Sequence, residues 1–115
     1  MKEGKHYKFL SKIVKDCSYL NCVINHAILE IEDFSTKWMR LKNRFFIYIL
    51  IDNYKIIYVG RSKNIYERMV QHRADKQFTH IILLEYSYLE DMYFFEKKII
   101  KRLRPNLNIL WIIYG

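Results

Sequence analysis

Residues 45–72 read FFIYILIDNYKIIYVGRSKNIYERMVQH, and they decide the fold. Two short apolar runs, Phe45–Ile51 and Lys55–Val59, flank a turn-like Asp52-Asn53-Tyr54. The first run is almost continuously apolar, which suits a strand covered on both faces. The second is β-branched and aromatic, so a hairpin is the economical reading, with Gly60 ending it. Asn64 then caps a helix whose Glu67 completes an Asn-x-x-Glu box, and Ile65, Met69 and His72 share one side of it. Each strand carries a tyrosine, Tyr48 and Tyr58, where an aliphatic residue would pack as well.

Working outward, Phe9, Leu10, Ile13, Val14 and Cys17 recur at helical spacing, and Leu20, Val23, Ile24, Ala27, Ile28 and Ile31 extend a second stripe. The reading is two helices, although the β-branched content of CVINHAILEI also suits a strand. Asp33–Asn43 is a connector. FTHIILLEY (78–86) reads as a third strand. Ser87 and Glu90 form a capping box that opens a last helix, which runs to about Leu103 before Pro105 stops it. The expected architecture is an α/β (α+β) domain, a small three-stranded antiparallel sheet flanked by helices. Residues 1–44 form a helical N-terminal extension of the same globule, and 45–115 the main domain.

The chain has 115 residues and 51% hydrophobic content, enough for one core. Lys and Arg total 20 against 12 Asp and Glu, a net +8. Along the sequence the excess is spread: nine basic and five acidic residues lie in 1–44, eleven and seven in 45–115. A basic body without a tail favours polyanionic partners. No apolar run approaches the roughly 18 residues of a membrane span, and the N-terminus lacks the apolar core of a signal peptide. The expectation is a soluble intracellular protein with no membrane partner. Cys17 and Cys22 make no disulfide framework. With His26 and His6 they match no common zinc spacing, and a Cys in an apolar stripe reads as core. The apolar end ILWIIYG either closes the core or forms a self-association surface.

Two features point to chemistry. Glu96 falls within the apolar stripe Leu89, Met92, Tyr93, Ile99, Ile100 and Leu103 of the last helix. An ionised carboxylate there needs a cation, a donor cluster or an opening to solvent; a structural pair with an Arg would also satisfy it. Arg68 and His72 are four residues apart on one helical face. Beside the Gly60 turn, GRSKN adds Arg61 and Lys63 with backbone amides, a plausible phosphate cradle, and Arg73 lies on the same helix.

FIY at 46–48, YVG at 58–60, Arg68, His72, Glu96 and Asn108, in that order and spacing, together resemble the GIY-YIG nuclease family. YVGRSKNIYERMVQH is similar to its second motif and following helix, and EKKIIKRLRPNLN to the segment with its metal-binding Glu and terminal Asn. The likeness spans Phe46 to Asn108. Phe46 stands where the family name has Gly, and Arg61 where many relatives carry Lys.

The resemblance implies a metal-dependent endonuclease acting on DNA. Tyr48 would deprotonate the attacking water with Tyr58 beside it, and cations would favour the Tyr48 phenolate. Glu96 would be the one protein ligand of a divalent ion, Mg²⁺ or Mn²⁺, and Arg68 would hold the scissile phosphate. His72 would relay a proton, and Asn108 would position the Glu96 helix end or the substrate backbone. Arg61, Lys63 and Arg73 would bind phosphates. The rival reading is a non-catalytic nucleic-acid-binding module on the same fold. Strandedness of the DNA stays open, and either specificity is low or recognition comes from a homodimer or a partner.

Overall fold

A computed structural model describes residues 3–18 and 22–108. The chain runs α1 (Glu3–Ser18), β1 (Val23–Glu30), two 3-10 turns (Ile31–Asp33 and Thr36–Leu41), β2 (Phe45–Asp52), β3 (Lys55–Ser62), α2 (Ile65–Asp75), β4 (His80–Tyr86), α3 (Leu89–Leu103) and a final 3-10 turn, Asn106–Asn108. The sheet has four antiparallel strands in the order β1-β4-β2-β3, not three. The second N-terminal helix expected from sequence is the extra strand, β1. Its apolar positions satisfy a helical template, but pairing with β4, from Val23 opposite Tyr86 to Glu30 opposite His80, fixes it as extended. The paired residues lie 50 to 63 positions apart along the chain, so tertiary pairing overrides the local pattern.

β2 is central, between β4 and β3, and six of its eight residues are buried. Its alternating side chains feed two cores. On one face Ile47, Ile49 and Ile51 join Leu10, Ile13, Val14 and Cys17 of α1 and Met92, Phe95, Ile99 and Ile100 of α3. On the other Phe46, Tyr48 and Leu50 meet Ile65 and Met69 of α2 and Trp38 of the longer 3-10 turn. Cys17 therefore sits in the core, where burial pushes its thiol up to about 11. Phe46, the departure from the family's Gly, is buried with the Arg44 guanidinium over its ring.

Local chemistry sets the element ends. Asn53 takes left-handed backbone in the β2–β3 turn, a conformation that Asn tolerates better than most residues. Gly60 does not end β3; the strand continues to Ser62. The Asn64 side chain caps α2 by accepting from the Glu67 N–H at 3.4 Å. The Ser87 box does not form: α3 has Tyr88 at its N-cap with no side-chain cap. α3 closes at Arg104, which is left-handed (φ 48°) and directly precedes Pro105. Among the described residues no helix is long and apolar enough to cross a membrane. The ILWIIYG segment lies outside the described residues.

Candidate active site at the β3 edge

β3 is an edge strand, and the candidate residues gather along it from both sides of the sheet. Tyr48 on β2 is paired with Gly60 on β3. A side chain on Gly60 would project over the same face as Tyr48. A Cβ built there would lie 2.5 Å from Tyr48 Cζ and 2.9 Å from Tyr58 Cε2. The Tyr48 ring thus leans across Gly60 toward the edge, through space that only glycine leaves open. Tyr58, two residues earlier on β3, lies on the same face, its ring 6.1 Å from that of Tyr48.

α2 brings His72 to both rings, 5.3 Å from Tyr48 and 5.0 Å from Tyr58 between centroids. The Tyr48 hydroxyl is 2.7 Å from His72 Nε2. Tyr48 is fully buried and His72 nearly so. Burial moves both titrations away from charge. It lifts the Tyr48 phenol well above the usual tyrosine range, helped by Tyr58 and Glu96 and opposed by Arg68. It lowers the His72 imidazole to about 4, with Lys76 and Arg68 pushing the same way. In the free protein Tyr48 keeps its proton, and neighbouring cations do not hold it as a phenolate. His72 is neutral at neutral pH. With its proton on Nδ1, its Nε2 accepts from the Tyr48 hydroxyl.

Glu96 approaches from α3, on the opposite side of the sheet. It is 7% exposed in the middle of the buried face Met92, Phe95, Ile99 and Ile100. Tyr93, counted in the stripe from sequence, is 39% exposed, and Phe95 takes its place inside. Arg61 Nη1 donates to Glu96 Oε1 at 2.5 Å, and its guanidinium stacks 4.3 Å above the Tyr93 ring. Because β3 runs on through Ser62, Arg61 alternates to the α3 face, and Lys63 lies in the loop that follows the strand. Glu96 Oε2 has no hydrogen bond from a described residue.

The remaining candidates divide. Asn108 clamps the open edge of β3: the Val59 N–H donates to its Oδ1 at 2.9 Å, and its Nδ2 donates to the Val59 carbonyl at 3.0 Å. Val59 lies between Tyr58 and Gly60, so Asn108 holds the strand segment that carries the site. Arg68 is exposed, with Nη1 donating to Gln71 Oε1 at 3.1 Å, and its charge acts on both Tyr48 and His72. Lys63 is exposed in the β3–α2 loop. Arg73 lies on another side of α2, over the Phe34 ring, which stacks on Tyr66, and not beside Tyr48 and Tyr58. Lys76, which the sequence reading passed over, has its ammonium 5.1 Å from the Tyr58 ring centroid. The signal was present, since the spacing of four that joins Arg68 to His72 continues to Lys76.

A second buried carboxylate, Glu85, is a structural pair. Arg44 grips it through Nε (2.7 Å) and Nη2 (2.6 Å), and Asn25 Nδ2 adds a bond at 3.0 Å. This fork, with its hydrogen bonds, holds the Glu85 carboxyl below the usual range. Among the described residues Glu96 has one such bond where Glu85 has three.

A divalent ion can be tested against these donors. Among the described residues no group of three or more His, Cys, Asp and Glu is placed to hold a metal. That excludes a closed protein cage of those residues but suits a hard ion that brings its own waters, since one carboxylate with a free oxygen faces the edge.

A search of curated proteins and a search of solved structures find no match to this chain. The family model described as the GIY-YIG catalytic domain matches residues 44–108, more than half of the chain and every element from β2 to the last 3-10 turn. The chain belongs to the GIY-YIG family, whose domains are in general DNA-cleaving nucleases that use divalent metal ions.

Proposed function

We propose that this protein is an endonuclease that hydrolyses DNA phosphodiester bonds at the β3 edge, with the buried Tyr48–His72 pair handling the proton of the attacking water. The observation that carries the reading is that 2.7 Å contact between a phenol and a neutral imidazole. A phenol alone is a poor base at neutral pH. Here the proton has somewhere to go. As water attacks phosphorus, its proton passes to the Tyr48 oxygen while the Tyr48 proton passes to His72 Nε2. The P–O3′ bond breaks, and the leaving oxygen is protonated from solvent. Tyr58 lines the same face and orders the water or a phosphate oxygen through its hydroxyl.

Arg68, exposed beside this pair, takes the phosphate through its planar fork as charge develops on it. Glu96 would hold a Mg²⁺ or Mn²⁺ ion, which when bound supplies Lewis-acid stabilisation of the phosphate and the leaving oxygen. Arg61 neutralises Glu96 in the free protein and, with its side chain about half exposed, would turn to a phosphate when DNA arrives. Asn108 acts at one remove, by fixing β3. The test is conversion of supercoiled plasmid in Mg²⁺, compared with EDTA and with Glu96→Ala. Nicked or linear DNA should form only for the wild-type protein with metal. Intact DNA binding without any conversion would make the protein a binding module instead.

A further inference from the structure

The basic excess, spread along the sequence, is not spread over α3. From residue 97 to 108 the chain holds five Lys and Arg and no carboxylate. Tyr93, Lys97 and Lys101 follow one another at spacings of four along a single line of the helix, and Arg104 lies three residues further at its end. The direction of this line is fixed by its first member: Tyr93 lies under the Arg61 guanidinium, which in turn binds Glu96. Lys97, Lys101 and Arg104 are all exposed, and among the described residues none of the three is in an ion pair. Three free cations therefore lead away from the candidate catalytic carboxylate, along the side of α3 that borders the β3 edge. Lys97 and Lys101 are separated by about 6 Å along the axis, close to the roughly 7 Å that two nucleotides of one B-DNA strand span.

We infer that Lys97, Lys101 and Arg104 form a phosphate ladder that takes the backbone of duplex DNA on one side of the scissile bond. This rests on the nuclease reading for the place of the scissile phosphate, but the ladder itself is a binding surface. It would supply sequence-independent, salt-sensitive affinity and set the direction in which the strand leaves the site.

The experiment is fluorescence anisotropy with a labelled duplex oligonucleotide in EDTA, over a series of salt concentrations. Each lost phosphate contact lowers the slope of log K against log [salt] by about 0.9. The Lys97→Gln/Lys101→Gln/Arg104→Gln variant should lose between about 2 and 3 of that slope, and the Lys97→Gln/Lys101→Gln pair about two thirds as much. A control with the same charge change, Lys37→Gln/Arg40→Gln/Lys42→Gln, alters exposed cations of the 3-10 turn across the sheet. It should change the slope by less than about 1. An unchanged slope in the α3 variant overturns the ladder, and so does an equal loss in the control. Because EDTA prevents metal-dependent cleavage, such a failure leaves the nuclease reading standing. A protein that binds through the ladder yet never cuts plasmid sinks the nuclease reading alone.

Discussion

At the scale of single residues the site depends on burial more than on charge. Tyr48 and His72 face each other at a buried contact, and burial disfavours both the phenolate and the imidazolium. In the proposed mechanism the pair shares one proton without either member being ionised beforehand. This makes stability depend on pH with a definite sign. The folded His72 titrates near 4, below its ordinary value of 6.5, so the unfolded chain binds the proton more readily. Its contribution is complete above the unfolded value and is lost as pH falls from there toward 4. Thermal melts should show wild-type stability dropping between pH 7 and pH 5 more steeply than in His72→Gln. Parallel curves would mean that the imidazole is not held neutral by the fold.

Both tyrosines, His72 and Glu96 were legible in the sequence because residue type and spacing carry them. The partner of Arg61 was not. Taking Gly60 as the end of the hairpin placed Arg61 in a loop, whereas two more residues of strand turn its side chain toward α3 and Glu96. Gly60 itself has a role that only the cross-strand register exposes: it leaves room for the Tyr48 ring.

Among the elements, β3 is the one the site cannot do without, and it is an edge. Edge strands present unpaired N–H and C=O groups and are poorly held. Asn108 answers this at one position, pairing with Val59 through both ends of its amide as a neighbouring strand would. The left-handed Arg104 and Pro105 turn the chain out of α3 so that Asn108 reaches the strand. Asn108→Ala removes both bonds from a buried backbone segment and should cost about 2–3 kcal/mol, read as a lower urea midpoint. Cleavage should slow with it, since Tyr58 and Gly60 flank Val59. Unchanged stability would show that water or another group serves Val59 equally well.

The elements also show how far local pattern reaches. The β2–β3 hairpin, α2, β4 and α3 all announce themselves through short apolar runs, caps and the stop at Pro105. β1 does not, because Val23, Ile24, Ala27 and Ile28 fit helical spacing as well as strand composition. Only the pairing with β4 decides it. Tyr88, not Ser87, precedes α3 at the N-cap, so the expected box had the right helix and the wrong cap.

For the whole molecule, the sheet divides the work. One face carries the Tyr48–His72 pair under α2, the other carries the Glu96 carboxylate on α3, and both lie against β3, the strand at the edge of the sheet. The proposed activity depends on that convergence, and removing one oxygen atom from its centre probes it most directly. Tyr48→Phe deletes only the hydroxyl from a fully buried side chain and leaves the ring that fills the core. In single-turnover cleavage of duplex DNA with Mg²⁺, the wild-type protein should cut and Tyr48→Phe should be slower by at least about 10²-fold, with DNA affinity retained. Cleavage by Tyr48→Phe at the wild-type rate would contradict the assignment of this tyrosine, and with it the mechanism built on the Tyr48–His72 pair.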